Sequence, residues 1–246
     1  MASAVTFEKC FGDAEWAAFE FRRAQRIYSA VMERNTCLLR IARPLRCEGC
    51  SVFYERVPDA YTLREVVCSK RPAPSVFRQT GQALGELHQA LNPDKDLLSE
   101  VCEVHGDMWT SNVVLSRSSE GVYLVDFTPP IVGPRGNMAS YCMDRVYQDL
   151  GRMVTDIRVK YPFAKAYLIA RSLNRVLVNE LISGYEAQIG ASIADETLAE
   201  YTAQSLLEVQ AVMRGKGVLP GAIWKLVMTP FIGHYRRQAS RGELGA

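Results

Sequence analysis

The sequence predicts an α+β fold, because short strand-like runs fill its first half and long helical patterns fill its second. β-Branched and aromatic runs bounded by turn residues indicate strands at 5–11, 37–41 and 52–57, and a further hairpin lies within 104–127. Apolar residues at helical spacing then recur over most of 142–237. Elements in this order are typical of a small sheet followed by a helical region.

Composition excludes several classes of protein. The chain has 246 residues, 48% of them hydrophobic and 23% charged, as in an ordinary soluble domain or pair of small lobes. The net charge of +2 argues against wholesale nucleic-acid binding. Seven Arg against two Glu lie between positions 20 and 46, which either favours an anionic ligand or forms a solvated face, the simpler interpretation.

The cellular setting is expected to be cytoplasmic. No apolar run approaches the roughly 20 residues that a membrane span needs, and the N-terminus lacks the layout of a signal peptide. Seven cysteines at scattered spacing do not form a disulfide framework, which favours a reducing compartment.

The N-terminal elements begin with the 5–11 strand, which carries Lys9. Asp13 follows and is expected to cap a helix over 14–32, because its carboxylate can accept the first free backbone amides. After two further strands, residues 58–63 are expected to form an extended linker.

The C-terminal part is expected to be mostly helical. A proline-containing breaker at 71–74 precedes a helix over 76–91, which Asn92-Pro93 should end. A loop rich in Pro and Gly is expected over 128–137. Further helices are expected over 144–160, 164–189, 195–214 and 223–238.

A C-x-x-C motif, Cys47-Glu48-Gly49-Cys50, lies between two predicted strands. A structural zinc site would need two further ligands, and the sequence shows no second motif of this kind. A redox pair normally opens a helix. The motif is therefore expected to form a hairpin turn with Gly49 at its tip.

The most informative motif is His105-Gly106-Asp107, with Asn112 five positions after the aspartate and Asp126-Phe127 further on. The two apolar runs around a polar turn at 116–121 should pair as a hairpin, which places Asn112 and Asp126 side by side at its open end. Phosphoryl transfer from ATP needs a carboxylate near the acceptor hydroxyl and oxygen ligands for Mg²⁺. Asp107 suits the first task, and Asn112 and Asp126 suit the second.

These residues resemble the catalytic and metal-binding motifs of the aminoglycoside phosphotransferase/choline kinase-like superfamily, relatives of protein kinases. Protein kinases typically carry H-R-D and D-F-G at these places. Here Gly106 replaces the arginine and Thr128 replaces the glycine, which favours the small-molecule branch. Trp109 resembles a tryptophan that fructosamine kinases carry within H-G-D-x-W.

The resemblance implies a protein kinase-like fold with a reduced N-terminal lobe over 1–57, ending in a hinge, and a helical C-terminal lobe over 58–246 that holds the catalytic hairpin, 104–127. The function implied is transfer of the γ-phosphate of ATP, with Mg²⁺, to a hydroxyl of a small molecule, with Asp107 as base.

The order of the elements assigns further residues by resemblance. Lys9 matches the lysine that clamps the ATP phosphates, and Glu20 matches the helix glutamate that orients it, with Glu15 as the competitor. Glu55 and Val57 would belong to the hinge, whose backbone groups would bind adenine.

Two residues outside the motif are assigned structural roles. Asp149 resembles an aspartate that anchors the catalytic loop from a helix, and His88 is expected to be a hydrogen-bonded structural residue.

One departure leaves alternatives open. The family normally has two strands and a glycine-rich turn before the lysine strand, and they are not found here. A minimal kinase, a truncated chain and a degenerate enzyme would all fit. The alternatives to a small-molecule kinase are a compact protein kinase resembling an effector or toxin, and a pseudokinase or adaptor.

Overall fold

The computed structural model describes residues 6–69, 71–127, 142–160, 167–215 and 218–242. The loop expected over 128–137 lies outside them. The strands are β1 (Thr6–Cys10), β2 (Leu39–Ile41), β3 (Pro44–Glu48), β4 (Ser51–Glu55), β5 (Ala60–Thr62), β6 (Cys102–Glu103), β7 (Val113–Ser116), β8 (Val122–Leu124) and β9 (Met143–Asp144). The helices are α1 (Ala14–Arg34), α2 (Leu63–Cys68), α3 (Pro74–Leu91), α4 (Tyr147–Thr155), α5 (Tyr167–Ile189), α6 (Asp195–Gly215) and α7 (Val218–Gly242). The predicted α+β class is confirmed.

A three-stranded antiparallel sheet in the order β1-β4-β3 is covered by α1. Asp13 caps α1 as predicted, since its carboxylate accepts a hydrogen bond from the backbone amide of Trp16 at 2.8 Å. Val52 and Tyr54 alternate along β4 and are buried, while the intervening residues are not. This period-two pattern turns one face of the sheet toward the helix.

A second sheet has the order β2-β8-β7-β5. β7 and β8 form the predicted hairpin, with Val113 opposite Leu124. Beyond that pair, the amide of Val125 donates to the carbonyl oxygen of Asn112 at 3.1 Å. The pairing therefore extends to the open end of the hairpin, where the candidate metal ligands lie.

Two expectations about the N-terminal half are wrong. Residues 58–63 do not form an extended linker, because β5 pairs with β7 and Thr62 begins α2 through a capping box with Glu65. The strands at 37–41 and 52–57 were also expected to flank one hairpin turn, and they do not. β2 joins the second sheet by parallel pairing with β8, and β4 pairs with β3, which was not predicted. β3 lacks a β-branched run and lies at a sheet edge, so its sequence carries a weak strand signal.

The helical part depends on close backbone contact between α3 and α5. A Cβ atom on Gly81 would lie 1.9 Å from the carbonyl oxygen of Leu181, and one on Gly184 would lie 2.1 Å from that of Arg78. Both distances are far below van der Waals contact, so only glycine allows this approach. Helix α6 packs against both α4 and α7. Among the described residues, no helix is long and apolar enough to cross a membrane.

Candidate active site

Lys9 on β1 reaches two carboxylates that are distant in sequence. Its ammonium nitrogen lies 3.4 Å from Oε1 of Glu20 and forms a short ion pair with Oδ1 of Asp126. Glu20 is fully buried and also accepts hydrogen bonds from the Tyr54 hydroxyl at 2.8 Å and the Phe127 amide at 3.3 Å. Of the two glutamates considered from the sequence, Glu20 is therefore the one that contacts Lys9.

Asp126 lies just beyond the hairpin strand β8, in a left-handed backbone conformation with φ of 64°. This conformation is uncommon for a residue other than glycine and costs free energy unless the surroundings hold it. The contacts of Lys9 with the side chain and of Glu20 with the next amide provide that support. Asn112 lies beside it at the same end of the hairpin, as predicted.

Asp107 lies in the HGD loop, which we define as residues 105–112. Its carboxylate accepts hydrogen bonds from the indole nitrogen of Trp109 at 2.7 Å and from the side-chain amide of Asn112 at 3.2 Å. Burial, reinforced by the negative charge of Asp126, raises the pKa of Asp107 to about 6. A carboxylate with this pKa is ionised at neutral pH and is a stronger base than an exposed aspartate.

The backbone of the HGD loop is held from several elements. The carboxylate of Asp149 on α4 accepts hydrogen bonds from the amides of His105 at 2.7 Å and Gly106 at 3.0 Å. Arg152, one turn further on, donates to the carbonyl oxygen of Gly106. Arg23 on α1 donates to the carbonyl oxygens of residues on both sides of the site, which are Val104, His105 and Phe127. The loop is therefore fixed before any ligand binds.

His105 connects the loop to the strand that ends at Asp126. Its Nε2 lies 3.1 Å from the carbonyl oxygen of Val125, and its Nδ1 accepts the amide of Asp107. Those partners require a neutral ring that carries its hydrogen on Nε2. Burial agrees with this, since it lowers the pKa of His105 to about 4.

A cavity of about 560 Å³ lies between the two sheets. Of the residues expected to bind nucleotide, it is lined by Lys9, Glu55, Val57, Asn112 and Asp126. Its other walls are mostly apolar and include Phe7, Ala42, Tyr54, Val114 and Leu124. An apolar cavity with a few convergent polar groups is typical of a small-molecule site.

Glu55 and Val57, the two residues expected to form the hinge, differ in the backbone groups that they can offer. The amide of Glu55 already donates to the carbonyl oxygen of Arg43 at 2.9 Å. Glu55 therefore cannot provide that hydrogen to a base in the cavity, whereas Val57 lies beyond the end of β4.

The oxygen donors at the open end of the hairpin fit Mg²⁺. The side-chain amide nitrogen of Asn112 donates to the carbonyl oxygen of Asp107 at 2.8 Å, which leaves the side-chain oxygen as its ligand atom. The side chain of Asp126 is 36% exposed and faces the same cavity. No group of three or more His, Cys, Asp or Glu among the described residues could hold a metal by itself. A magnesium ion carried on phosphates needs only one or two carboxylates, so the donor set is sufficient.

The C-x-x-C motif lies at a hairpin turn, as predicted, with Gly49 in a left-handed conformation with φ of 56°. The strand before the turn is β3, however, and not the predicted strand over 37–41. All seven cysteines are free thiols.

Sequence reasoning missed Arg23, which was assigned to a solvated basic face and is in fact only 5% exposed. Its position was available from the helical period, since Arg23 lies three residues after Glu20 and four before Ile27, both buried. Arg152 and Tyr54 were also missed, because their partners Gly106 and Glu20 lie 46 and 34 positions away in the sequence. The contact of Trp109 with Asp107, only two residues away, was missed as well.

No protein-family model matches the chain. A search of curated proteins also finds no match.

Solved structures do match. The structure of a glucosamine kinase in complex with glucosamine, ADP and inorganic phosphate superposes with a TM-score of 0.68 at 10% identity, over 90% of this chain and 74% of that chain. A second glucosamine kinase structure, crystal form B, gives a TM-score of 0.66 at 12% identity, over 86% and 70% of the two chains. At these identities the likeness shows the fold, which is that of known kinases.

Proposed function

We propose that this chain is an ATP- and Mg²⁺-dependent phosphotransferase that phosphorylates a hydroxyl of a small molecule. The observation that carries the proposal is the convergence of Lys9, Glu20 and Asp126, from three separate segments, beside the loop that bears Asp107 and Asn112. An ammonium oriented by carboxylates, next to a buried carboxylate with a raised pKa, is the set that phosphoryl transfer requires.

Each residue has a separate task in this proposal. Lys9 binds the α- and β-phosphates, and Glu20 orients it. Asp107 accepts the proton of the acceptor hydroxyl. The oxygen of that hydroxyl forms a bond to the γ-phosphorus, and the bond from this phosphorus to the β,γ-bridging oxygen breaks to release ADP. Trp109 holds the Asp107 carboxylate through its indole hydrogen bond.

Asn112 and Asp126 would hold the magnesium ion, which neutralises the developing phosphate charge when bound. The hinge residues Glu55 and Val57 would contact adenine, with the Val57 amide as the better donor because that of Glu55 is already engaged.

We further propose membership of the aminoglycoside phosphotransferase/choline kinase-like superfamily. The two lobes would be residues 1–57 and 58–246, as the resemblance implies. The motif order and the anchoring of the HGD loop by Asp149 support this assignment. Seven free thiols also support a cytoplasmic location.

The acceptor that we propose to test first is an amino sugar, since the matched kinase structure contains glucosamine. A protein acceptor is the main competitor. Incubating the chain with labelled ATP and either glucosamine or a cell lysate would separate the two, because a labelled protein band without labelled sugar would refute the small-molecule assignment.

The decisive test of the nucleotide site is the shift in melting temperature on adding ATP, with and without Mg²⁺. A ligand at about 100 times its Kd adds roughly 2.7 kcal/mol of stability. We expect a Mg²⁺-dependent shift in the wild type and little shift in Asp126→Asn. Ser118→Ala, in the exposed turn between β7 and β8, serves as the matched control. No shift in the wild type would contradict the proposal and favour a pseudokinase or adaptor.

A further inference from the structure

A buried chain of side chains leads from α5 to the HGD loop. The hydroxyl of Tyr185 lies 2.8 Å from Nδ1 of His88, and Nε2 of His88 lies 3.0 Å from Oδ2 of Asp149. The same Oδ2 accepts the amide of His105 at 2.7 Å. All four residues are fully buried, so water does not compete for these hydrogen bonds.

The direction of each hydrogen bond follows from Asp149. Burial alone would raise the pKa of Asp149, but the hydrogen bonds that His88 and Gly106 donate to its carboxylate lower it below its ordinary value. An ionised carboxylate only accepts hydrogen bonds, so His88 must carry a hydrogen on Nε2.

Tyr185 then determines the state of the other ring nitrogen. Burial raises the pKa of Tyr185 well above its ordinary value, so the phenol keeps its proton. Nδ1 of His88 is the hydrogen-bond partner that the structure places beside this hydroxyl. The arrangement that satisfies both neighbours is one in which the Tyr185 hydroxyl donates to Nδ1 of His88 while Nε2–H donates to Asp149.

Close helix packing fixes the position of this chain. Gly184 precedes Tyr185 and lies against the backbone of Arg78, and Gly81 lies against that of Leu181, so α3 and α5 meet at backbone distance. Helix α5 therefore cannot shift relative to α3 without losing this contact. The hydroxyl of Tyr185 and the ring of His88 are held at a defined separation.

We propose that Tyr185 and His88 form a positioning relay for the HGD loop. Tyr185 selects the Nε2–H form of His88, and His88 fixes the carboxylate of Asp149 in the orientation that accepts the amides of His105 and Gly106. The relay thereby positions Asp107, which directly follows these two residues. Gly106 has a left-handed backbone conformation with φ of 84°. Tyr185 and His88 act through Asp149 and do not touch substrate. The catalytic consequence rests on the proposed function.

The tautomer is tested first, by long-range ¹H–¹⁵N NMR on the whole chain. We expect His88 to be neutral with its hydrogen on Nε2 in the wild type. A hydrogen on Nδ1 would overturn the relay. This measurement needs neither nucleotide nor acceptor, so it gives an answer even if the chain transfers no phosphate.

The positioning role is tested with Tyr185→Phe, which removes only the hydroxyl. Hydrogen exchange of the His105 and Gly106 amides should become roughly tenfold faster. The matched control is Tyr147→Phe, because the hydroxyl of Tyr147 is also buried but accepts the amide of Ala194, outside the relay. Equal protection of both amides in wild type and Tyr185→Phe would overturn the proposal.

Turnover gives a second, independent measurement. In Tyr185→Phe we expect kcat to fall roughly tenfold, with KM for Mg·ATP unchanged within about twofold, since only the aim of Asp107 is altered. His88→Gln keeps a donor toward Asp149 and should retain more activity than His88→Leu. Equal losses in Tyr185→Phe and Tyr147→Phe would show a merely structural effect. If the wild type shows no turnover, the proposed function fails, while the NMR and exchange results still decide the relay.

Discussion

The two halves of the candidate site are held in different ways. The HGD loop is bound through buried backbone contacts to Asp149, Arg23 and Arg152, which belong to two different helices. The opposite wall depends on Lys9, which lies on the largely exposed strand β1 and is held by two ion pairs. The first half is fixed by the fold. The second half is held by the ion pairs of Lys9, whose ammonium would also bind the phosphates of a nucleotide.

This difference indicates how the work of catalysis is divided. A group that accepts a proton must be within hydrogen-bond distance of it, so its support is rigid and buried. An ammonium that binds phosphates acts by its charge over a longer range and tolerates a less rigid support. Changes in the HGD loop half should therefore alter kcat or stability, and changes in the Lys9 half should alter nucleotide affinity.

The largest effect is expected from Asp107→Ala. Loss of the base should reduce kcat by roughly 10²- to 10⁴-fold, while the Kd for Mg·ATP stays within about threefold. Steady-state kinetics and isothermal titration calorimetry would measure the two quantities. The Ser118→Ala variant serves again as a control. Undiminished turnover in Asp107→Ala would remove Asp107 from its proposed role.

Asp149→Ala should have the next largest effect, mainly on folding. It leaves His88 and two backbone amides without a buried acceptor, so unfolding free energy should fall by about 3–5 kcal/mol in urea denaturation. Lys9→Ala is the comparison variant. The pair of Lys9 with Asp126 is partly exposed, and the buried carboxylate of Glu20 keeps the hydrogen bonds from Tyr54 and Phe127, so the loss should be smaller, about 1–3 kcal/mol, while the ATP-induced melting shift is lost. Equal destabilisation by both variants would contradict the contrast between the two halves.

The relative positions of the proposed site residues could be predicted from the sequence better than the contacts that support them. The spacing within one strand–loop–strand segment fixes the relative positions of Asp107, Asn112 and Asp126, so these positions could be predicted. Caps and turns depend on local residue types. The cap at Asp13, the turn at Gly49 and the approximate ends of α3 could therefore also be predicted. These features are determined by neighbours in the chain, and the structure agrees with them.

The supporting contacts could not be predicted in the same way. The contact of Arg23 with the carbonyl of Phe127 spans 104 positions, and no local pattern encodes it. β3 and β5 were missed because short edge strands gain their stability from pairing and not from their own composition. The parallel pairing of β2 with β8 likewise depends on tertiary arrangement.

Gly81→Ala should produce a moderate loss of stability by separating α3 from α5. A methyl group at Gly81 would overlap the carbonyl oxygen of Leu181, which would force the helices apart at a cost of about 1–3 kcal/mol. Gly12→Ala is the matched control, because a Cβ atom there meets nothing within 4 Å. Thermal unfolding of both variants would measure the difference, and equal stability would show that the helices do not require glycine at this contact.

The smallest effect concerns pH. Since the pKa of Asp107 is about 6, kcat/KM should fall roughly fivefold between pH 6 and pH 5 as the base becomes protonated. The same raised pKa means that the folded state binds more protons than the unfolded state between about pH 4 and pH 6. Wild-type stability therefore declines, relative to Asp107→Asn, as pH rises through that window.

Asp107→Asn should accordingly gain in melting temperature relative to the wild type from pH 4 to pH 6, and the difference should level off above pH 6. Measuring the difference across pH removes any constant offset from the altered hydrogen bonds to Trp109 and Asn112. A difference that stays constant with pH would mean that the carboxylate is not desolvated by the loop. The rigid half of the site would then position Asp107 without strengthening it as a base.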